Sequence, residues 1–227
     1  MKCTYLGHSS FLVETMGKKL LFDPFITQNP KASSIAIDSI QPDYILISHA
    51  HGDHILDVET IAKNSGAQVI ANFEIVEYYT KKNIEGHSMN SGGSWRFPFG
   101  KVTMTHAYHS SSFPDGTYGG NANGFIIHND EGSLFYSGDT ALTNDFTLLG
   151  ERHHFDMVIL PIGDNFTMDY IDAARACSML QAKRCMGVHF DTFNLIEIHH
   201  QLAYEHFTAK GIHLILPEIG NSYTVHS

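Results

Sequence analysis

The feature that most narrows the fold is a change of character within eleven residues. Tyr44-Ile45-Leu46-Ile47 has the composition of a buried strand, and Ser48-His49-Ala50-His51-Gly52-Asp53-His54 follows it with no spacer. Imidazole nitrogens and a carboxylate at this density must be compensated, because burying them unpaired costs several kcal/mol, of order 2–7 for each polar group left without a partner. A divalent cation compensates all of them together. His49 and His51 alternate across Ala50, and Gly52 lets the backbone turn so that Asp53 and His54 can face the same centre. A lone histidine at a strand end reads as a hydrogen-bonded loop residue; the compact H-x-H-x-D-H pattern points instead to a metal.

One loop cannot close two coordination spheres, so further ligands must come from distant positions. In "VTMTHAYHSSS" the candidates are His106 and His109. His106 shares strand parity with Val102 and Met104 and is expected on the inner face as a hydrogen-bonded neighbour. His109 begins a Ser-rich loop and is the favoured ligand. Asp139 in "LFYSGDT" follows a glycine after an apolar strand, as Asp53 does, and His189 in "CMGVHFDTF" ends another apolar strand. The shared position of these residues at strand ends predicts a single cleft at the rim of the sheets.

The rest of the chain reads as alternating blocks. The strands "MKCTYL", "SFLVET", "KLLFDP" and "YILIS" come first, joined by turns too short for parallel crossovers. "DVETIAKNSGA" is predicted helical with Asp57 as N-cap and Gly66 as stop, then "QVIANF" as strand and "EIVEYYTKKN" as helix. Strands dominate 94–137, and helix and strand alternate to the end, through "DYIDAARACSMLQAK", "RCMGVHF" and "EIHHQLAYEHFTAKG" to "HLILPEIGNSYTV". This order fits two sheets packed face to face with helices outside, a layered α/β fold in one domain over 1–227. His153, His154, His199 and His200 are expected on the surface, with no carboxylate at ligand spacing, and Tyr78-Tyr79 as helix packing.

Composition removes several function classes. The net charge of -10 disfavours nucleic acid as the main partner, since that needs a basic face. No stretch approaches eighteen uninterrupted apolar residues and the start has no apolar leader, so a soluble, cytoplasmic protein is expected. Three scattered cysteines, Cys3, Cys177 and Cys185, with no C-x-x-C, suit buried free thiols in a reducing compartment.

Read in order, "YLGHSSFLVE", "LLFDPF", "SHAHGDH", "AYHSSS", "YSGDT", "GDNFTM" and "HFDTF" resemble the metallo-β-lactamase superfamily. Within it they resemble a branch of small bacterial metal-dependent hydrolases related to ascorbate-6-phosphate lactonase and, more remotely, to N-acyl-phosphatidylethanolamine phospholipase D. The resemblance implies a four-layer αββα sandwich with two divalent metal ions between the sheet edges, zinc first, with manganese, iron or nickel as alternatives. It implies that His49, His51 and His109 hold one ion, that Asp53, His54 and His189 hold the other, and that Asp139 bridges them. A hydroxide shared by the ions would be the nucleophile, and Asp53 would assist the leaving group. His8 and Asp23, from "LGHSS" and "FDPF", are expected to orient ligands or line the pocket. Ser110, Ser111, Asn165, Asp191 and Thr192 are expected on the substrate side.

The implied activity is hydrolysis of a small ester, lactone or phosphoester. A flavodiiron-type oxidoreductase is disfavoured by His51, where a Glu commonly stands. A secreted β-lactamase is disfavoured by the missing export signal, and an RNA-processing nuclease by the lack of room for an inserted domain. A non-catalytic metal-sensing module is the remaining alternative, and a homo-oligomer is left open.

Overall fold

The computed structural model describes residues 1–226. The first half runs β1 (Lys2–Gly7), β2 (Ser10–Thr15), β3 (Lys18–Phe22), β4 (Tyr44–Leu46), α1 (Gly52–Ile55), α2 (Val58–Ser65), β5 (Gln68–Asn72), α3 (Phe73–Thr80) and β6 (Gly86–Met89). The second half runs β7 (Ser94–Phe97), β8 (Gly100–His106), β9 (Asn123–Asn129), β10 (Gly132–Tyr136), α4 (Asp145–Arg152), β11 (Met157–Pro161), α5 (Tyr170–Met179), β12 (Arg184–Val188), α6 (His200–Ala209), β13 (His213–Ile215) and β14 (Ser222–Thr224).

Two seven-stranded sheets result, ordered β14-β1-β2-β3-β4-β5-β6 and β13-β12-β11-β10-β9-β8-β7. Each begins as an antiparallel meander and continues in parallel: β1, β2 and β3 alternate before β4, β5 and β6 run with β3, and against expectation the β3–β4 connection is a parallel crossover, because the loop 23–43 is long enough to make one. In the same way β7 to β10 alternate before β11, β12 and β13 run with β10. The two halves thus repeat one scheme that no period in the sequence reveals. The last strand, β14, returns to the first sheet and pairs with β1, so the predicted pair of final strands divides between the sheets.

Alternation along the strands supplies three apolar cores and hence four layers. Leu20, Phe22 and Leu46 point between the sheets, where they meet Phe125, Tyr136, Ile159 and Val188. Leu21, Ile45 and Ile47 point the other way, against Val58, Ile61 and Ile75 of α2 and α3. The outer face of the second sheet packs Val158 and Leu160 on Ala173, Cys177 and Phe207 of α5 and α6. Strands covered on both faces read as unbroken apolar runs, which is why Tyr44 to Ile47 shows no polar alternation. All three cysteines are buried and free. No helix among the described residues is long and apolar enough to cross a membrane.

The local signals need three adjustments. Gly66 stops α2 in a left-handed conformation (φ 73°) as predicted, but the Asp57 side chain makes no capping bond. It turns instead to the loop after β3, accepting from the Ile26 and Thr27 amides at 2.6 and 3.0 Å and from the Thr27 hydroxyl at 2.6 Å. α3 starts at Phe73 because Asn72 caps it, its side chain accepting from Ile75 N at 2.9 Å. α4 is not foreshadowed by the sequence, and it contains a buried glycine, Gly150. A Cβ there would lie 2.4 Å from the Met179 carbonyl, so the glycine is what lets α4 approach the end of α5. Tyr78 packs as expected, stacked on Phe113 at 3.7 Å between ring centroids.

Candidate metal centre

The strands end at one rim, and the residues that follow them turn inward. His8 follows β1 (φ 57°), Asp23 follows β3 (φ 41°) and His189 follows β12 (φ 54°), all left-handed without being glycine. Such conformations cost of order 1–3 kcal/mol each and cluster where surroundings impose them. Gly138 (φ 63°) makes the corresponding bend before Asp139, at a point where a Cβ would meet the Asn123 carbonyl at 2.3 Å.

Two groups of donors converge there. His49, His51 and His109 present one ligand atom each within 4.8 Å of one another, and so do His8, Asp53, His54 and His189. The Asp139 carboxylate lies between the groups. Its Oδ2 is 3.0 Å from His189 Nε2 and 3.2 Å from His54 Nε2 on one side, and 3.8 Å from His109 Nε2 and 4.0 Å from His49 Nε2 on the other.

A supporting network fixes which nitrogen faces the cleft. Asp23 is fully buried and accepts from four donors: Ser48 N (2.8 Å), Ser48 Oγ (2.5 Å), Tyr136 OH (2.6 Å) and His54 Nδ1 (2.9 Å). Because the Ser48 hydroxyl donates to Asp23, it accepts from His49 Nδ1 at 2.9 Å. With Nδ1 engaged in this way, His49 and His54 both turn Nε2 to the cluster, the orientation a cation requires. His51 differs: its Nε2 reaches Ser110 Oγ at 3.2 Å and its Nδ1 faces inward, 3.0 Å from His49 Nε2. Asp23, His49 and His54 form a third close group, but the carboxylate of Asp23 is already saturated by its donors.

The donors fit a divalent cation. His54 Nε2, Asp139 Oδ1 and His189 Nδ1 are buried with no hydrogen-bond partner. The charge balance agrees. Burial pushes the Asp139 carboxyl up, yet His189 and His54 beside it hold it well below the usual carboxylate range. Burial opposes a charge on His189, but Asp139 and Asp53 draw that imidazole up to about 9, and the same carboxylates draw His54 well above its ordinary value. Positive charge on the histidines and negative charge on the carboxylates thus favour one another, a compensation that cations would supply in place of protons.

The remaining expectations divide. Thr192 Oγ1 meets His8 Nδ1 at 2.9 Å, and His8 Nε2 meets Asp53 Oδ2 at 3.0 Å. Ser111 receives Ala50 N at 3.2 Å and donates to Gly119 O, clamping the histidine loop rather than facing it. Asp191 turns away from the cluster to Ile198 N and His200 Nε2, giving His200 the carboxylate partner that sequence spacing denied it. Asn165 is exposed in the left-handed loop before α5, with no hydrogen bond to the cluster. His106, expected on an inner face, is exposed at the last position of β8 with its ring edge on Tyr108. Ser48 and Tyr136 escaped the sequence reading: Tyr136 and Asp23 stand 113 residues apart, and nothing local marks the pair. His106→Ala is accordingly expected to leave metal content and any hydrolytic rate within about twofold of wild type, as for an exposed side chain outside the donor groups. His109→Ala, assayed in parallel by elemental analysis, should lose bound metal.

The beta-lactamase superfamily domain matches residues 2–189. A UPF0173 metal-dependent hydrolase of Flavobacterium johnsoniae is 52% identical over 222 residues, which is 98% of this chain and 99% of that one. Among solved structures, Igni18, a metallo hydrolase from the hyperthermophilic archaeon Ignicoccus hospitalis, superposes with a TM-score of 0.89 at 31% identity, covering 98% of this chain and 97% of that one. The metallo-beta-lactamase fold protein YhfI of Bacillus subtilis shares the fold, with a TM-score of 0.77 at 15% identity over 98% of each chain.

Proposed function

The chain belongs to the UPF0173 family of metal-dependent hydrolases, and on that footing we propose that it hydrolyses a small ester, lactone or phosphoester at a two-cation centre. The observation that carries this reading is the place of Asp139, whose one oxygen lies within 4.0 Å of histidines from both donor groups. His49, His51 and His109 would hold one ion, Asp53, His54 and His189 the other, and Asp139 would serve both. A pair of divalent ions there supplies an acidified water and a Lewis acid for the attacked oxygen. Imidazole and carboxylate donors suit zinc best, and also accept manganese, iron or nickel.

The protein's own groups do the rest. Asp139, buried at 2% exposure, places a carboxylate between the two donor groups, where it would lower the mutual repulsion of cations held there. Asp53 is the accessible carboxylate of the cluster, with its side chain 32% exposed, and a water bound to it would pass a proton to the leaving group. Ser110, exposed beside His51, offers a hydroxyl to a bound carbonyl or phosphoryl oxygen. Phe193, 40% exposed with its ring 5.6 Å from that of His8, would give the cleft an apolar side that suits an acyl or ring portion of a small molecule.

Elemental analysis and a panel of esters, lactones and phosphodiesters on one preparation test the reading. The expected result is about two metal equivalents and turnover of at least one class, falling by about a hundredfold or more on chelation and recovering on metal addition. Failure of the protein to take up any added zinc would end the proposal.

A further inference from the structure

His8 makes more contacts with the second donor group than a pocket-lining residue needs. It is 1% exposed and left-handed, and its carbonyl accepts from Tyr5 OH and from His189 N, both at 3.0 Å. Its ring lies between Thr192 Oγ1, 2.9 Å from Nδ1, and Asp53 Oδ2, 3.0 Å from Nε2. Two proton arrangements satisfy these distances. In one, Nδ1–H donates to Thr192 and a bare Nε2 is free to ligate a cation, but then two lone pairs confront each other at 3.0 Å across the Asp53 contact. In the other, the Thr192 hydroxyl donates to Nδ1, and Nε2–H donates to Asp53. The alternative acceptor for Thr192, the Phe190 carbonyl, is 3.4 Å away, so the hydroxyl has its better partner in the ring.

We propose that Thr192, His8 and Asp53 form a hydrogen-bonded relay that sets the carboxylate of the second cation site, with His8 a positioning residue and not a ligand. The proposal rests on the two-cation reading above and deepens it. Asp53 needs such a restraint. It stands on the single turn of α1, it is the most exposed acid of the cluster, and its other close neighbours, His189 Nε2 and His54 Nε2, are 3.7 and 4.0 Å away. A carboxylate free to rotate would present its ligating oxygen only part of the time, and loss of such outer partners lowers metal affinity by about 10–100-fold. His8 also ties the backbone of His189 through its carbonyl, a bond that substitution of the side chain leaves intact.

The test is a zinc titration of metal-free full-length protein against a chromophoric chelator, for wild type, His8→Ala, His8→Gln and Thr192→Val. Two zinc sites are expected in wild type. His8→Ala should weaken one of them about 10–100-fold and leave the other unchanged. His8→Gln, whose amide N–H can reach the position of Nε2, should restore most of the loss. Thr192→Val should weaken the same site by a smaller factor, and since it keeps residue 8 in place, its result counts even where His8→Ala folds poorly. Equal affinity of wild type, His8→Ala and Thr192→Val for both ions overturns the relay. So does failure of Gln to rescue a site that Ala has lost, which would make the ring nitrogen itself a ligand. A wild type with a single zinc site overturns the two-cation reading and the relay with it, whereas a two-zinc, active wild type beside an indifferent His8→Ala overturns the relay alone.

Discussion

Asp139→Asn is expected to lower kcat/KM by about a thousandfold or more, on whichever substrate class the panel identifies, while leaving the fold intact. Asparagine has nearly the same shape, so the four histidine neighbours of Oδ2 at 3.0 to 4.0 Å keep their space. What disappears is a fixed negative charge in a buried site. Were divalent cations held in both donor groups, that charge would be worth several kcal/mol at an effective dielectric near 20, about 4 kcal/mol for each unit-charge pair at 4 Å. An amide cannot replace it, because its nitrogen adds a donor where the histidines already crowd. Steady-state kinetics on metal-reconstituted protein, with elemental analysis and a melting curve of the same sample, separates the causes. A loss of metal together with activity fits the bridging role, whereas a fully active variant with both ions bound would refute it.

Asp23→Ala is expected to destabilise the protein by about 3–5 kcal/mol, the largest effect on stability of any single change in the cluster. The carboxylate is wholly buried and serves Ser48 N, Ser48 Oγ, Tyr136 OH and His54 Nδ1. Truncation leaves these donors facing a void and unable to reach water, which is the costly way to lose a hydrogen bond. Tyr136→Phe removes one donor and keeps the packing of its ring on Phe11 and Phe22, so a cost of about 1–2 kcal/mol is expected. Denaturant unfolding of metal-free protein measures both, free of any contribution from bound ions. Were the alanine variant as stable as the phenylalanine one, the hub reading of Asp23 would be wrong. With metal present, Asp23→Ala should also weaken both ion sites, since Asp23 orients His54 directly and His49 through Ser48.

The cluster shows where sequence reading works. His49, His51, Asp53 and His54 lie within six residues, so a single turn of chain sets their convergence and the pattern can be read locally. The strands and most helices were legible for a similar reason: side-chain alternation and caps such as Gly66 depend on near neighbours. α4 was hidden because its glycine answers to α5, a tertiary neighbour. The parity of His106 with Val102 and Met104 was read correctly as a shared strand face, but parity does not tell where the covering layer stops, and His106 lies beyond it.

By itself, then, the sequence determined the layered α/β plan and the chemistry of the rim, because apolar periodicity and ligand type are local properties of the chain. Tertiary structure alone decided that Tyr136 and Ser48 complete the shell around Asp23, that Thr192 backs His8, and that Asp191 turns away to His200. Those pairings join residues as far as 184 positions apart. They depend on how strands of two separate sheets come into register, and hydrogen-bond geometry at that range leaves no mark in the local pattern of residues.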